Sequence, residues 1–215
     1  MAMTERLPLT RERIIAAAVE LVDTNGVDAL SMRKLGAALG VEAMSLYNHV
    51  VNKDDVLDRI LDQVLAEIEL PDPSLAWDEQ IRALAHGFRA AGHRHPGVFP
   101  LFGSRSITSF EGFRPLEQSY AALRDAGLST DDALDGFTAL SSFAFGYVLT
   151  ELGGLVDRAL QHPWEIDDVR VDRPSLVEMG ASLARRDADR QFRFGLDLLI
   201  GGLANMVAAA DRTAG

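Results

Sequence analysis

The sequence predicts an all-α protein in two parts, an N-terminal three-helix helix-turn-helix module followed by a larger C-terminal helical region. Three observations carry this expectation. Apolar residues recur at helical spacing through nearly the whole chain, and no stretch alternates as a strand would. Glycines and prolines stand where the periodic runs end. The run PDPS at 71–74 is the one clear break, and it divides the chain into residues 1–70 and 71–215.

The first helix is expected from Thr10, a natural cap, to Asn25, with Ile14, Ala17, Ala18, Leu21 and Val22 as its stripe and Gly26 ending it. In SMRKLGAALGVEAMSLYNHVVNK, residues 31–53, the residues Leu35, Leu39, Val41 and Leu46 allow two short helices to share a small core. Ser31 can cap the first of them. Gly36 sits where a side chain would hold the helices apart, and Gly40 where the first must stop in a left-handed conformation. The second helix, Glu42 to His49, is then the element placed to enter a major groove. A fourth helix begins near Asn52, carries Val56, Leu57, Ile60, Leu61, Val64, Leu65 and Ile68 at helical period, and stops at Pro71.

Beyond the break, Trp77 to Gly92 is amphipathic through Ile81, Leu84, Ala85 and Phe88. HRHPGVFPLFGSRS is broken by Pro96 and Pro100, and Phe110 to Ala126 is a helix ended by Gly127. Two long helices follow, Asp131 to about Val156 and Asp187 to about Asp211. Between them a polar, irregular stretch from about Gln161 to Arg173, with Pro163 inside it and Pro174 at its end, reads as a loop.

Composition narrows the function classes. The 215 residues are 47% apolar and 25% charged, ordinary globular usage. With no cysteine there is neither a disulfide framework nor thiolate chemistry, which suits a reducing cytoplasm. The opening MAMTERLPLT lacks the apolar core of an export signal. Phe137 to Val156 holds Ser141, Ser142, Thr150 and Glu151, and Leu196 to Ala210 is short and holds Asp197, so both read as tightly packed helices and no membrane partner is expected.

The net charge of -11 opposes DNA binding unless the basic groups are segregated. They are segregated in sequence. Between Ser31 and Lys53, Arg33, Lys34 and Lys53 face the single acid Glu42, and the chain's two lysines both lie there. Asp54, Asp55, Asp58, Asp62, Glu67 and Glu69 are expected on the side away from a duplex or at a dimer flank. Tyr47, Asn48, His49 and Lys53 are all able to donate to phosphate oxygens. Arg33 is the candidate for a bidentate guanine contact, Ser45 for a base or phosphate, and Ala43 with Met44 for thymine methyl groups.

The segment GVDALSMRKLGAALGVEAMSLYNHVVNKDDVLD resembles the DNA-binding part of the TetR family of bacterial repressors. That family's capped helix with an arginine, glycine turn, Leu-Tyr-x-His run and lysine before helix four are present as Arg33, Gly40, Leu46, Tyr47, His49 and Lys53. The runs GSR, LRDAGLSTDDALDGFTALSSFAFGYVL and FRFGLDLLIGGL are similar to the ligand-binding and dimerisation half of the tetracycline-repressor branch, so the resemblance covers nearly the whole chain. It implies a homodimer in which the helices matching Asp131–Val156 and Asp187–Ala210 form a four-helix bundle with their symmetry mates. Ala139, Ser142, Gly146, Gly195, Gly201 and Gly202 are small enough for close approach there, and Phe143, Leu149, Leu199 and Leu203 supply area. A two-fold dimer implies a palindromic double-stranded DNA operator.

The departures from that branch are informative. Its metal-contacting histidine and glutamate match Leu101 and Thr150, and leucine cannot ligate magnesium. Glu151, one residue on, leaves open whether it replaces the glutamate. The matching phenylalanine, Phe88, is retained. With Phe99, Phe102, Phe113, Leu116, Tyr120, Phe137 and Tyr147 it outlines the expected pocket, which favours a small apolar or aromatic effector over a tetracycline-magnesium chelate. His86, His93 and His95 lack a third well-spaced ligand, so neither a metal nor another cofactor is expected.

Three functions are weighed: a ligand-responsive repressor, an enzyme, and a helical small-molecule or partner-binding protein that no longer binds DNA. No G-x-S-x-G elbow, H-E-x-x-H or phosphate-cradling glycine loop supports the enzyme. The expected protein is a cytoplasmic repressor whose effector acts on the readers through helix four, Lys53 to Leu70.

Overall fold

The computed structural model describes residues 8–154, 174–183 and 185–214. All regular elements among them are helical: α1 (Arg11–Asn25), α2 (Met32–Leu39), α3 (Ala43–Leu46), α4 (Lys53–Ala66), α5 (Trp77–Arg94), α6 (Phe110–Asp125), α7 (Thr130–Leu152), α8 (Pro174–Leu183) and α9 (Ala188–Ala214). Short 3-10 turns occupy Val27–Ala29 and Phe99–Gly103.

Local chemistry sets many of the bounds. The side chains of Thr10, Ser31, Asn52 and Ser129 each accept from an amide one turn into α1, α2, α4 and α7. α3 is shorter than the expected Glu42–His49, because after Leu46 the chain tightens and the amides of His49 and Val50 both turn back to the Leu46 carbonyl. α4 ends at Ala66 rather than running to Pro71, as Ile68 N donates to Leu65 O at 3.1 Å. α7 ends at Leu152, and Gly154 follows with φ 56.

α8 was not expected. Pro174 opens it instead of extending the loop, since a missing N–H costs nothing in the first turn of a helix. The expected loop at 161–173 lies outside the described residues.

The chain packs as two units that do not follow the linear division at residue 70. One unit is Met1–Leu70 with Ala90–Gln118, and the other is Pro71–Arg89 with Ser119–Gly215. In the first, Ile14, Ile15, Ala18, Val19 and Val22 of α1 bury one face, and Val56, Leu57, Ile60, Leu61, Val64 and Leu65 of α4 bury theirs. Leu21 and Ala17, expected in the stripe, are half-buried, and Ile15 and Val19 take the inner positions.

Residues 95–112 belong to this unit for a specific reason, a polar grip on α4. Arg105 pairs with Asp54 at 2.6 Å and with Asp58 at 3.5 Å. Asp62, only 6% exposed, accepts from the Thr108 amide at 2.9 Å and its hydroxyl at 2.7 Å. Asp54, Asp58 and Asp62 lie four residues apart on one helical stripe, so one passing segment meets all three. These acids were expected to face away from a duplex or flank a dimer; Asp54, Asp58 and Asp62 also have partners within the chain.

At the other end of the grip, His95 sits between two carboxylates, Nδ1 against Asp23 at 2.7 Å and Nε2 against Glu67 at 2.9 Å. Asp23 also accepts from the Gly97 amide at 3.1 Å. A Cβ at Gly97 would lie 2.3 Å from the Val22 carbonyl oxygen, so only glycine lets this segment reach the end of α1.

In the second unit α7 and α9 pack through Leu140, Ala144, Phe192, Leu196, Ile200 and Leu203, with Ile81, Leu123 and Leu128 in the same core. Two close approaches are built on glycine. A Cβ at Gly195 would stand 2.4 Å from the Phe143 ring, and one at Gly136 2.7 Å from Leu203. Gly195, expected to serve the contact between copies, is therefore used inside the chain. Phe143 stacks on Phe192 at 5.6 Å, and His86 meets the same ring edge-on at 5.3 Å. Gln80 donates to the carbonyls of Pro73 and Leu75, tying the PDPS break to the start of α5.

The His95 clasp makes a pH prediction. Burial alone would lower its pKa, but the hydrogen bonds and charges of Asp23 and Glu67 outweigh burial and hold the imidazolium above the usual histidine range. Both ring nitrogens can donate only when both are protonated. The clasp therefore stabilises fully below the unfolded histidine value of about 6.5, and its contribution is lost as pH rises through the elevated folded value. The melting-temperature advantage of the wild type over His95→Gln should be largest at acidic pH and shrink towards alkaline pH. An advantage independent of pH in thermal melts would refute the assignment.

Candidate functional site

The recognition element is a turn held rigid from three sides. Ser31 Oγ accepts from Lys34 N at 3.3 Å and starts α2. Gly40, at φ 68 and ψ 31, ends it in the left-handed conformation. Gly36 is buried, and a Cβ there would be 2.9 Å from the Val41 carbonyl oxygen and 3.2 Å from the Ala43 Cα. The backbone entering α3 thus rests directly on the backbone of α2. Leu35 and Leu46, both at 0% exposure, close the small core beneath.

With Leu46 pointing inward, the outer surface of α3 is presented. Met44 is 74% exposed, Tyr47 44% and Val51 74%. Arg33, Lys34 and Asn48 are exposed, while Ala43, Ser45, His49 and Lys53 are half-buried. All eight residues singled out for DNA, namely Arg33, Ala43, Met44, Ser45, Tyr47, Asn48, His49 and Lys53, belong to the first unit and retain solvent access. A large exposed methionine and tyrosine on an element this short have no core to serve.

One structural support was missed in the sequence. Asn52 Oδ1 accepts from Asp55 N at 2.9 Å, while Asp55 Oδ2 accepts from Val51 N at 2.8 Å. This reciprocal capping fixes the chain between the recognition turn and α4. Asp55 also takes Arg59 Nε at 2.7 Å. The N-x-x-D spacing is the signal that would have found it.

Charge is sorted within the unit. Arg59, Arg94, Arg105 and Arg114 each stand within ion-pair distance of a carboxylate. Arg33, Lys34 and Lys53 have no carboxylate partner among the described residues. The acids of the unit pair with those four arginines and leave these three cations unpaired.

The eight residues expected to line an effector pocket fall four in each unit. Phe88, Tyr120, Phe137 and Tyr147 pack against the core of the second, and the Tyr147 hydroxyl donates to Ala188 O at 2.7 Å. In the first unit Phe99 is buried and lies 5.1 Å from the Phe102 ring. Leu116 is half-buried and Phe113 is exposed.

The metal question has a local answer. Arg89 grips Glu151 with two bonds of 2.8 Å, Nε to Oε2 and Nη2 to Oε1. Arg89 also pairs with Asp189 at 2.7 Å, and Glu151 is nearly buried. Both oxygens of the one carboxylate that might have replaced the lost ligand are therefore taken by a guanidinium, whose protonated form Glu151 strongly favours. Leu101 is a buried core residue. Among the described residues no three histidine, aspartate or glutamate side chains converge on a common point.

α7 and α9 also leave an apolar groove on the surface of the second unit, lined by Ala139, Leu198, Gly202 and Met206 with Asp132 and Asp135 at its rim. Gly146, Gly201 and Gly202 have nothing within 4 Å of an added Cβ. Leu134 and Leu198 are more than half exposed. Residues Ala188–Ala210 of α9 are long and apolar enough to cross a membrane, a longer run than the expected Leu196–Ala210. Phe192, Leu196, Ile200 and Leu203 on that helix are buried in the unit's core, so part of its apolar character is already used by folding.

Comparison with known proteins is consistent across the chain. A family model described as bacterial regulatory proteins, tetR family, matches residues 14–60, and one described as tetracyclin repressor-like, C-terminal domain, matches residues 70–207. An HTH-type transcriptional regulator of Saccharopolyspora erythraea is 37% identical over 182 residues, 84% of this chain and 72% of that protein. The tetracycline repressor protein class D of Escherichia coli is 31% identical over 208 residues, 94% of this chain and 92% of its own. The crystal structure of the Streptomyces coelicolor TetR family protein ActR in complex with actinorhodin is similar with a TM-score of 0.78 at 30% identity, covering 94% of this chain and 99% of that one.

Two substitutions separate base reading from phosphate contact. Arg33→Ala should weaken binding to the preferred duplex by about 1 to 3 kcal/mol and relax one base position; an equal loss on every sequence in a binding-site selection would contradict a base contact. Lys53→Ala should weaken all sites alike and flatten the salt dependence by roughly one ion, a result that an unchanged slope would refute.

Proposed function

The chain belongs to the TetR family of bacterial regulators, and from that premise we propose that it works as a two-fold homodimer seated on a palindromic operator and released by an apolar or aromatic effector. TetR-family regulators are ligand-responsive DNA-binding proteins, and this chain is accordingly a transcriptional regulator and not an enzyme. The observation that carries the proposal is the recognition turn itself. It is rigid and supported from below, and it presents Met44, Tyr47 and the uncompensated cations Arg33, Lys34 and Lys53 to solvent.

A single α3 offers too few side chains to specify a site, and a two-fold pair doubles them. In the dimer the two readers stand one turn of B-DNA apart, about 34 to 36 Å, in successive major grooves. The apolar groove between α7 and α9, with the open glycines Gly146, Gly201 and Gly202 and the exposed Leu134, Leu198 and Met206, supports dimerisation through that face. It also accounts for α9: the apolar residues its own unit does not bury are covered by the second copy. Acting on DNA, the protein works in the cytoplasm.

The effector is assigned by chemistry. Glu151 is committed to Arg89, and Leu101 offers no ligand, which disfavours a metal-chelated effector. Phe88, Phe99, Phe102, Phe113, Leu116, Tyr120, Phe137 and Tyr147 are the residues that favour an apolar or aromatic one, and the similar ActR is solved in complex with actinorhodin. Effector binding moves the readers only in proportion to its preference for the released state. The grip of Arg105, Thr108 and His95 on α4 and its end is the route we assign to that motion: shifting this segment shifts α4, and α4 carries the capped turn that holds α3.

Selection of a bound duplex from a random library, followed by footprinting, should return an inverted repeat protected on two successive major grooves. An asymmetric single half-site would count against the dimer. Gly202→Arg should convert the protein from dimer to monomer in sedimentation and lower operator affinity at least tenfold while leaving helix content intact. A dimer that persists in this variant would remove the α7 and α9 face from the proposal.

A further inference from the structure

α3 is one short turn of helix, and its C-terminal end has few bonds of its own. The carbonyl of His49, where the chain leaves this element, accepts a hydrogen bond from Arg11 Nε at 2.9 Å. Arg11 is the first residue of α1, 38 positions away in sequence, and it is exposed. Thr10 caps α1 at this point, so the backbone that carries the guanidinium is itself fixed.

Two further observations concern the rest of that guanidinium. Its two Nη groups have no hydrogen-bond partner among the described residues, and no carboxylate lies within ion-pair distance. The adjacent acid, Glu12, turns back to its own backbone amide and to the Thr10 hydroxyl. Arg11 thus joins Arg33, Lys34 and Lys53 as a cation that the acids of its unit leave uncompensated. A planar guanidinium can use Nε on one side and present both Nη groups on another, which an ammonium cannot do.

We propose that Arg11 is a positioning residue of the DNA interface: its Nε holds the C-terminal end of the recognition turn, and its Nη groups make a phosphate contact beside that end. This rests on the DNA-binding reading given above. The Nε bond is charge-assisted and directional, so it fixes the height of His49, and with it Tyr47 and Asn48, relative to α1. The Nη groups add a phosphate contact from outside the helix-turn-helix, which widens the footprint of a chain whose net charge is -11.

The test uses the full-length protein with two probes, a duplex that the wild type selects from a random library and a scrambled duplex of the same composition. Arg11→Met should lower the slope of log K against log salt by about 0.9 on both probes, one phosphate's worth. It should also reduce the preference for the selected duplex roughly tenfold, as loss of a charge-assisted bond to the reader implies. Arg11→Lys should restore the slope but not the preference, because one ammonium on a flexible stem cannot both hold His49 and reach the phosphate in the same geometry. All variants are compared at a temperature where circular dichroism shows wild-type helix content, so partial unfolding cannot mimic the effect.

An unchanged slope in Arg11→Met overturns the phosphate contact, and full recovery of the preference by lysine overturns the positioning role. Should the wild type select no duplex at all, the DNA-binding reading fails and this proposal with it. A wild type that selects normally beside an unaltered Arg11→Met sinks Arg11 alone.

Discussion

A helix of four residues cannot hold itself in water, since it closes too few hydrogen bonds to offset the cost of fixing its first turn. The architecture of the first unit answers that constraint. Gly36 lets the backbone entering α3 rest on α2, and Gly40 turns the chain at the one angle that brings it there. Leu46 anchors the inner side. The Asn52 and Asp55 capping pair fixes the exit, and Arg11 reaches across from α1 to the His49 carbonyl just beyond α3. Because α3 is held by its one inward residue, Leu46, and by groups outside it, its outer side chains are free of structural duty and can be chosen for a ligand.

The same logic explains how an acidic protein can offer a basic surface. The acids on α4 have partners within the chain, although Asp54 stays exposed. Asp54, Asp58 and Asp62 are bound by Arg105 and Thr108, and Glu67 by His95 and Arg94. Negative charge is consumed where the unit must be held together. The cations without such partners lie at the recognition end. Local compensation, not net charge, decides what a polyanion would meet on approach.

Glycine in the second unit has two separate uses that composition alone merges. Gly136 and Gly195 admit Leu203 and the Phe143 ring within the chain, so larger residues there would push α7 and α9 apart. Gly146, Gly201 and Gly202 face open space and leave a shallow apolar surface. The ion pair of Arg89 with Glu151 illustrates the same ambiguity for charge. A carboxylate one position from an expected metal ligand looked available in sequence, and in the fold both its oxygens serve an arginine.

Much of this was legible in the residues. Helical period, caps at Thr10 and Ser31, the left-handed Gly40 and the close approach at Gly36 are local signals, each governed by bonds spanning a few positions, and together they defined the all-α class and the recognition turn. Burial of Leu35 and Leu46 followed from the same spacing. What the sequence could not supply was every pairing between distant positions: Arg11 with His49, His95 with Asp23 and Glu67, Arg105 with Asp54, Arg89 with Glu151, and the membership of residues 90–118 in the first unit. Periodicity assigns a side chain to a face of its helix but does not say which element will cover that face. The stripe on α4 was visible as acidic, and only the tertiary structure brought the 95–112 segment over it. For this protein the sequence alone determined the helices and the turn that reads, while the fold decided which charges are spent inside and which remain to be used, because ion pairs and hydrogen bonds form between neighbours in space.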